Sequence, residues 1–142
     1  MKSKAPLSLM EQMVMLAVFA LAAALCLQAF VKSDAISRRS QARDRAVVLS
    51  QTAAEVLQHY SGDLDETARY LGCTAGAEEL HVQYDEDWNV VEGGAYHLYI
   101  RYERSDIPGC GLAVVRVIEG SGEWDEKNTL VELPVAWQEV LP

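Results

Sequence analysis

Asp85-x-Asp87-x-Asn89 opens like the first three liganding positions of a calcium loop, and nothing else in the chain comes closer to metal chemistry. The pattern then fails. Its sixth position is Val90, where the loop needs glycine, and its twelfth is Tyr96, where a bidentate glutamate should close the shell. A solvated acidic turn is the expectation, with no metal. His59, His81 and His97 share no metal-ligand spacing, and His81 and His97 fall in strand-like runs as ordinary strand residues. The sequence has no G-x-S-x-G elbow, no glycine-rich phosphate loop and no Cys/His nucleophile pair, so neither catalysis nor a cofactor is expected. Glu11 is of another kind. It is a single carboxylate at the entrance of a long apolar run, and its chemistry would be charge pairing, because an ionised group at the edge of a bilayer is costly unless a cation meets it. The first turn of a helix, where the dipole favours negative charge, is its expected place.

The element that must position Glu11 is a helix. Residues 13–31 read MVMLAVFALAAALCLQAFV, with Gln28 as the only strongly polar side chain. As an α-helix this run is about 28 Å long, close to the hydrocarbon thickness of a bilayer. It lacks Gly and Pro and is rich in Ala, Leu and Met, which favour helix. A soluble helix apolar on every side would need a core all round it, and the rest of the chain is too small to provide one. The run therefore reads as a transmembrane anchor. A cleaved secretory signal would have an apolar core of only about 7–15 residues, and here Glu11 and Gln12 interrupt its approach. A lipoprotein signal would set a small residue before its cysteine, whereas Leu25 precedes Cys26, which reads as a small apolar filler. Beyond the span, Ala42, Ala46, Leu49, Ala53, Val56 and Tyr60 recur at alternating spacings of four and three, the stripe of an amphipathic helix. One helix over about 7–60 is predicted, with Gly62 as its left-handed cap.

The remainder reads as a small head. Asp63 and Glu66 make a capping-box-like start for a short helix over 64–71, closed by Gly72. Strands are predicted over 80–84, 96–102, 112–118 and 130–137, with turns at Gly93-Gly94, Pro108-Gly109 and Gly120-Ser121-Gly122. Pro134 marks the last strand as an edge or a bulge. The predicted fold class is α+β: a long N-terminal helix packed by a small antiparallel sheet of three to four strands. Charge divides the chain in the same way. Residues 1–62 carry seven bases against four acids, net +3, while residues 63–142 carry five against seventeen, net −12. Such a head has no electrostatic footprint for direct nucleic-acid binding, and its acidity serves solubility.

Leu7-Ser8-Leu9-Met10-Glu11, preceded by a short leader with Lys2 and Lys4 and followed at once by the apolar helix, is similar to the N-terminal signature of the type IV pilins and pseudopilins. The segment Tyr84-Asp85-Glu86-Asp87-Trp88-Asn89 is also similar to the acidic turn and tryptophan of some Gram-positive pseudopilin-like proteins. The resemblance implies a pilin-like fold, cleavage by a prepilin peptidase between Pro6 and Leu7, and methylation of the new N-terminus. It makes Glu11 the assembly residue, paired with the terminal amine of a neighbour, and makes membrane lipid and other pilin-like subunits the partners. Pro6 stands where the family usually has Gly, and its fixed φ is a poor match to a subsite that selects glycine. A mature chain starting at Leu7 and an uncleaved chain both stay open. The expected divisions are a leader-like segment over 1–6, a transmembrane helix over 7–31, its amphipathic continuation over 32–62 and the head over 63–142.

The resemblance also implies a cytoplasmic N-terminus and an extracytoplasmic head. Lys32, Arg38, Arg39, Arg43 and Arg45, close behind the span, argue the opposite by the positive-inside rule. With an exported head, Cys73 and Cys110, which flank the first two strands, are expected to join in a disulfide contributing on the order of 3–4 kcal/mol. The implied function is that of a non-catalytic structural subunit of a type IV pilus-like or pseudopilus-like assembly, serving secretion, adhesion or DNA uptake. The alternative is a membrane-tethered extracytoplasmic binding module that does not polymerise.

Overall fold

The computed structural model describes residues 5–120 and 125–139. The first four residues of the leader, with Lys2 and Lys4, and Ser121 and Gly122 of one expected turn lie outside the described residues. The elements run α1 (Ala5–His59), α2 (Leu64–Leu71), β1 (Glu79–Tyr84), β2 (Tyr96–Glu103), β3 (Cys110–Glu119) and β4 (Thr129–Gln138). The chain divides into two units, Met1–Gln41 and Ala42–Pro142.

In the first unit α1 is the only described element. Pro6 lies in its first described turn. Its large apolar side chains, from Leu7 through Phe19 to Val31, are exposed along the whole run. By length and composition α1 is the one described helix suited to crossing a membrane, and none of its most apolar stretch is buried within the chain.

In the second unit the rest of α1 packs on a four-stranded antiparallel sheet of order β1-β2-β3-β4. The fold is thus the α+β arrangement of a long helix on an antiparallel sheet. The helix presents small residues to the sheet: Ala42, Ala46, Ser50, Ala53 and Ala54 are buried, together with Val56 and Leu57. The buried face is centred nearer Ser50 and Leu57 than the predicted stripe, and Leu49 and Tyr60 are only half-buried. Ser50 is tolerated at full burial because its hydroxyl donates to the Ala46 carbonyl at 2.7 Å. Facing the helix, alternate strand residues Leu80, Val82, Leu98, Ile100, Ala113, Val115 and Val117 form the core.

Local chemistry explains the junctions. α1 ends one residue earlier than expected: Ser61, at φ +52°, takes the left-handed cap position and donates to the Gln58 carbonyl at 3.1 Å, and Gly62, next at φ +87°, donates to the Leu57 carbonyl at 2.8 Å. Asp63 Oδ1 accepts from the amides of Asp65 and Glu66 at 2.9 and 3.1 Å, capping α2. The reciprocal half of the capping box is not made: the Glu66 carboxylate turns to Arg69, and the Asp63 amide bonds the Tyr60 carbonyl instead. β4 is an edge, as Pro134 indicates. The register shift lies elsewhere. Val117 faces Val131 and Ile118 faces Thr129, so Leu130 is the extra residue and turns inward to be buried.

The expected disulfide is absent, because Cys73 and Cys110 are free thiols. Cys73 lies two residues before Ala75, which bridges to Leu80 on the outer side of β1. β3, which begins at Cys110, is two strand spacings inward of β1, about 10 Å. A disulfide needs Cα atoms within about 7 Å.

Candidate functional site

Glu11 stands on α1 with Leu7 and Met15 one turn to either side and Val14 beside it. Leu7, Leu9 and Met10 are 66–73% exposed, so the pentad residues ahead of Glu11 are uncovered on the helix surface. Among the described residues no ion pair to Glu11 is formed. Glu11 lies more than one turn into the described part of α1, whose first described turn holds no acidic residue. The helix dipole acts within that first turn, so it gives Glu11 little of the expected stabilisation. The Pro6–Leu7 bond lies within the first described turn of α1. Cys26 is exposed on the same helix.

The acidic turn is structural. Asp85 Oδ1 accepts from the amides of Asp87 and Asn89, both at 2.9 Å, and the Asp85 amide donates to the Asn89 carbonyl at 3.0 Å. These bonds, led by that from Asn89, hold the Asp85 carboxyl below its ordinary range. Trp88 takes φ +65° at the tip, and its ring stacks on Tyr96 with centroids 4.4 Å apart. The turn thus closes on itself and on the sheet. Among the described residues no group of three or more His, Cys, Asp or Glu side chains is placed to hold a metal.

Two arrangements in the head were not visible in the sequence. On the sheet face away from α1, His81 Nε2 and His97 Nδ1 are 2.9 Å apart, in hydrogen-bond contact, and Tyr99 stacks on His81 at 4.3 Å. The register sets Tyr99 opposite His81 and His97 opposite Gln83, so the two histidines are diagonal neighbours. Burial, then the neighbouring His97, lower the His81 pKa, and Glu79 opposes this. Glu79 and Arg101 pair at one side of this patch, and Arg116 pairs with Glu132 on the next two strands. Only the hairpin register, read together with the strand alternation, could have brought the histidines together. The second arrangement is the Trp137 ring, which lies against Gly62 and Gly111, with Tyr102 at 5.9 Å. The Tyr102 hydroxyl donates to the Gly62 carbonyl, tying the end of α1 to β2.

None of these clusters pairs a nucleophile with a base. The feature with a chemical demand left unmet within the described residues is the apolar helix with Glu11. Comparison of the chain with protein-family models, with curated proteins and with solved structures finds no match in any of the three.

Proposed function

We propose that the chain is a non-catalytic structural subunit of a type IV pilus-like or pseudopilus-like assembly, anchored by one membrane pass with the N-terminus cytoplasmic and the head outside. The observation that carries this reading is α1. An uninterrupted helix bears a fully exposed apolar run, sets Glu11 near the start of that run, and packs a small sheet on its second half. In such an assembly the apolar helices pack laterally, and Glu11 meets the amine of a neighbour's N-terminus, which removes the cost of a bare carboxylate in hydrocarbon. A prepilin peptidase would expose that amine at Leu7, and pilin-like subunits of the same or other kinds would be the partners in secretion, adhesion or DNA uptake.

Pro6 within the helix favours a second reading, in which the chain stays uncleaved as a membrane-tethered extracytoplasmic binding module. Intact mass and N-terminal sequence of the protein purified from its native membrane separate the two. The assembly reading expects a chain beginning at Leu7. A chain that retains its leader removes that support and favours the tethered module.

A further inference from the structure

We propose that the cations following the apolar run, Lys32, Arg38 and Arg39 on α1, form a binding surface for anionic phospholipid headgroups. The inference rests on the membrane-anchor part of the proposed function and is independent of assembly. Val31 is the last residue of the apolar run, and Lys32 follows it directly. Arg38 and Arg39 stand about 10 and 12 Å further along the helix at its rise of 1.5 Å per residue. The headgroup layer adds about 5–8 Å beyond the hydrocarbon on each side, and long basic side chains bend towards it. All three cations are therefore within reach of lipid phosphates.

The local charge fits an anionic partner. Over residues 32–41 three bases face one acid, Asp34, and Lys32 and Arg39 are seven residues apart, so they share a helix face. Arg38 pairs with Asp34 at 3.0 Å, but the two side chains are 81% and 55% exposed, so water already competes for that pair and a phosphate can take its place. Guanidinium matches phosphate with two parallel hydrogen bonds. Arg43 and Arg45 continue the basic run in sequence. From Asp63 onward the chain carries −12 and is repelled by an anionic surface, so on this side of the apolar run any selectivity for such lipids comes from these three cations, here called the collar, and the basic residues behind them.

The test uses the full chain in phosphatidylcholine vesicles with a trace of spin-labelled lipid, either phosphatidylglycerol or phosphatidylcholine. Electron paramagnetic resonance reads the fraction of label slowed at the protein surface. A carbonate wash comes first. Loss of the chain from the vesicles overturns both the anchor and the collar, whereas a retained chain tests the collar alone. The expected association constant favours phosphatidylglycerol by about fivefold or more at low salt. It should fall towards unity at about 0.5 M salt, where screening is short-ranged, and in the variant Lys32→Gln/Arg38→Gln/Arg39→Gln. A ratio of one for the unaltered chain at low salt overturns the proposal. So does a preference that persists in the triple variant, which would place the site at Lys2 and Lys4.

Discussion

Gly62 and Gly111 come from distant parts of the chain, yet both are held to glycine by Trp137. A methyl group at either position would collide with the indole. At Gly62 the backbone adds a second demand, since φ is +87°. Gly62→Ala is expected to cost about 2–4 kcal/mol, combining left-handed strain with overpacking. Gly111→Ala, at an ordinary strand position, should cost about 1–3 kcal/mol. Denaturant unfolding measures both, and the Gly111→Ala cost should shrink when Trp137→Leu makes room. The sequence suggested the cap at Gly62 but said nothing of Gly111, because what fills the space beside a glycine depends on a cross-strand neighbour. The His81–His97 contact is a second residue-scale case. A histidine whose folded pKa is lowered contributes stability above its unfolded value near 6.5, and loses that contribution as the pH falls below it. The unfolding midpoint of the head should therefore drop between about pH 7 and pH 5. His81→Gln should flatten that drop. Asp85, with its carboxyl pKa lowered, acts in a separate and more acidic window, below its ordinary value of 3.8. An unchanged profile in His81→Gln would show that the pair does not carry the effect.

Elements were far more legible than contacts. The four strands lie within one or two residues of where alternation placed them, since a half-buried antiparallel sheet writes its period of two directly into side-chain polarity. The short helix was readable from Asp63 and Gly72 alone. The cap predicts that Asp63→Ala destabilises the head by about 1 kcal/mol, while Glu66→Ala costs less because its carboxylate makes only an exposed pair with Arg69. Thermal unfolding of the two variants checks the order; equal losses would mean that the reciprocal capping-box bond forms in solution. Pro134 marked β4 as an edge, and the sheet order makes it one, while the bulge at Leu130 was not readable from residue types. One expectation failed for a reason that a pattern of types does not contain. The disulfide failed because two cysteines close to the same hairpin in sequence are separated by β2 in the sheet.

At the scale of the whole molecule, the long apolar helix with Glu11 ahead of its apolar run was legible from the start, because a nineteen-residue run with Gln28 as its one polar side chain, behind one carboxylate, forms a pattern that needs no third dimension. The structure adds that this surface is uncovered and that the helix dipole does little for Glu11. Under the proposed assembly these become a demand on other chains. Exposed Cys26 on the same helix provides a reporter of whether it is met, since helices packed side by side bring their cysteines within crosslinking distance. With Cys73→Ala and Cys110→Ala removing the other thiols, a short bis-maleimide applied in membranes should capture Cys26-linked species. Glu11→Gln should lower that yield about tenfold, as expected when a buried charge pair worth roughly 1.4 kcal/mol or more is lost between subunits, while the chain stays membrane-bound. The neutral amide keeps the size and helix propensity of glutamate, so a fall in crosslinking with anchoring intact isolates the charge. Equal yields from the two forms would leave the helix as an anchor alone and take from Glu11 its part in assembly.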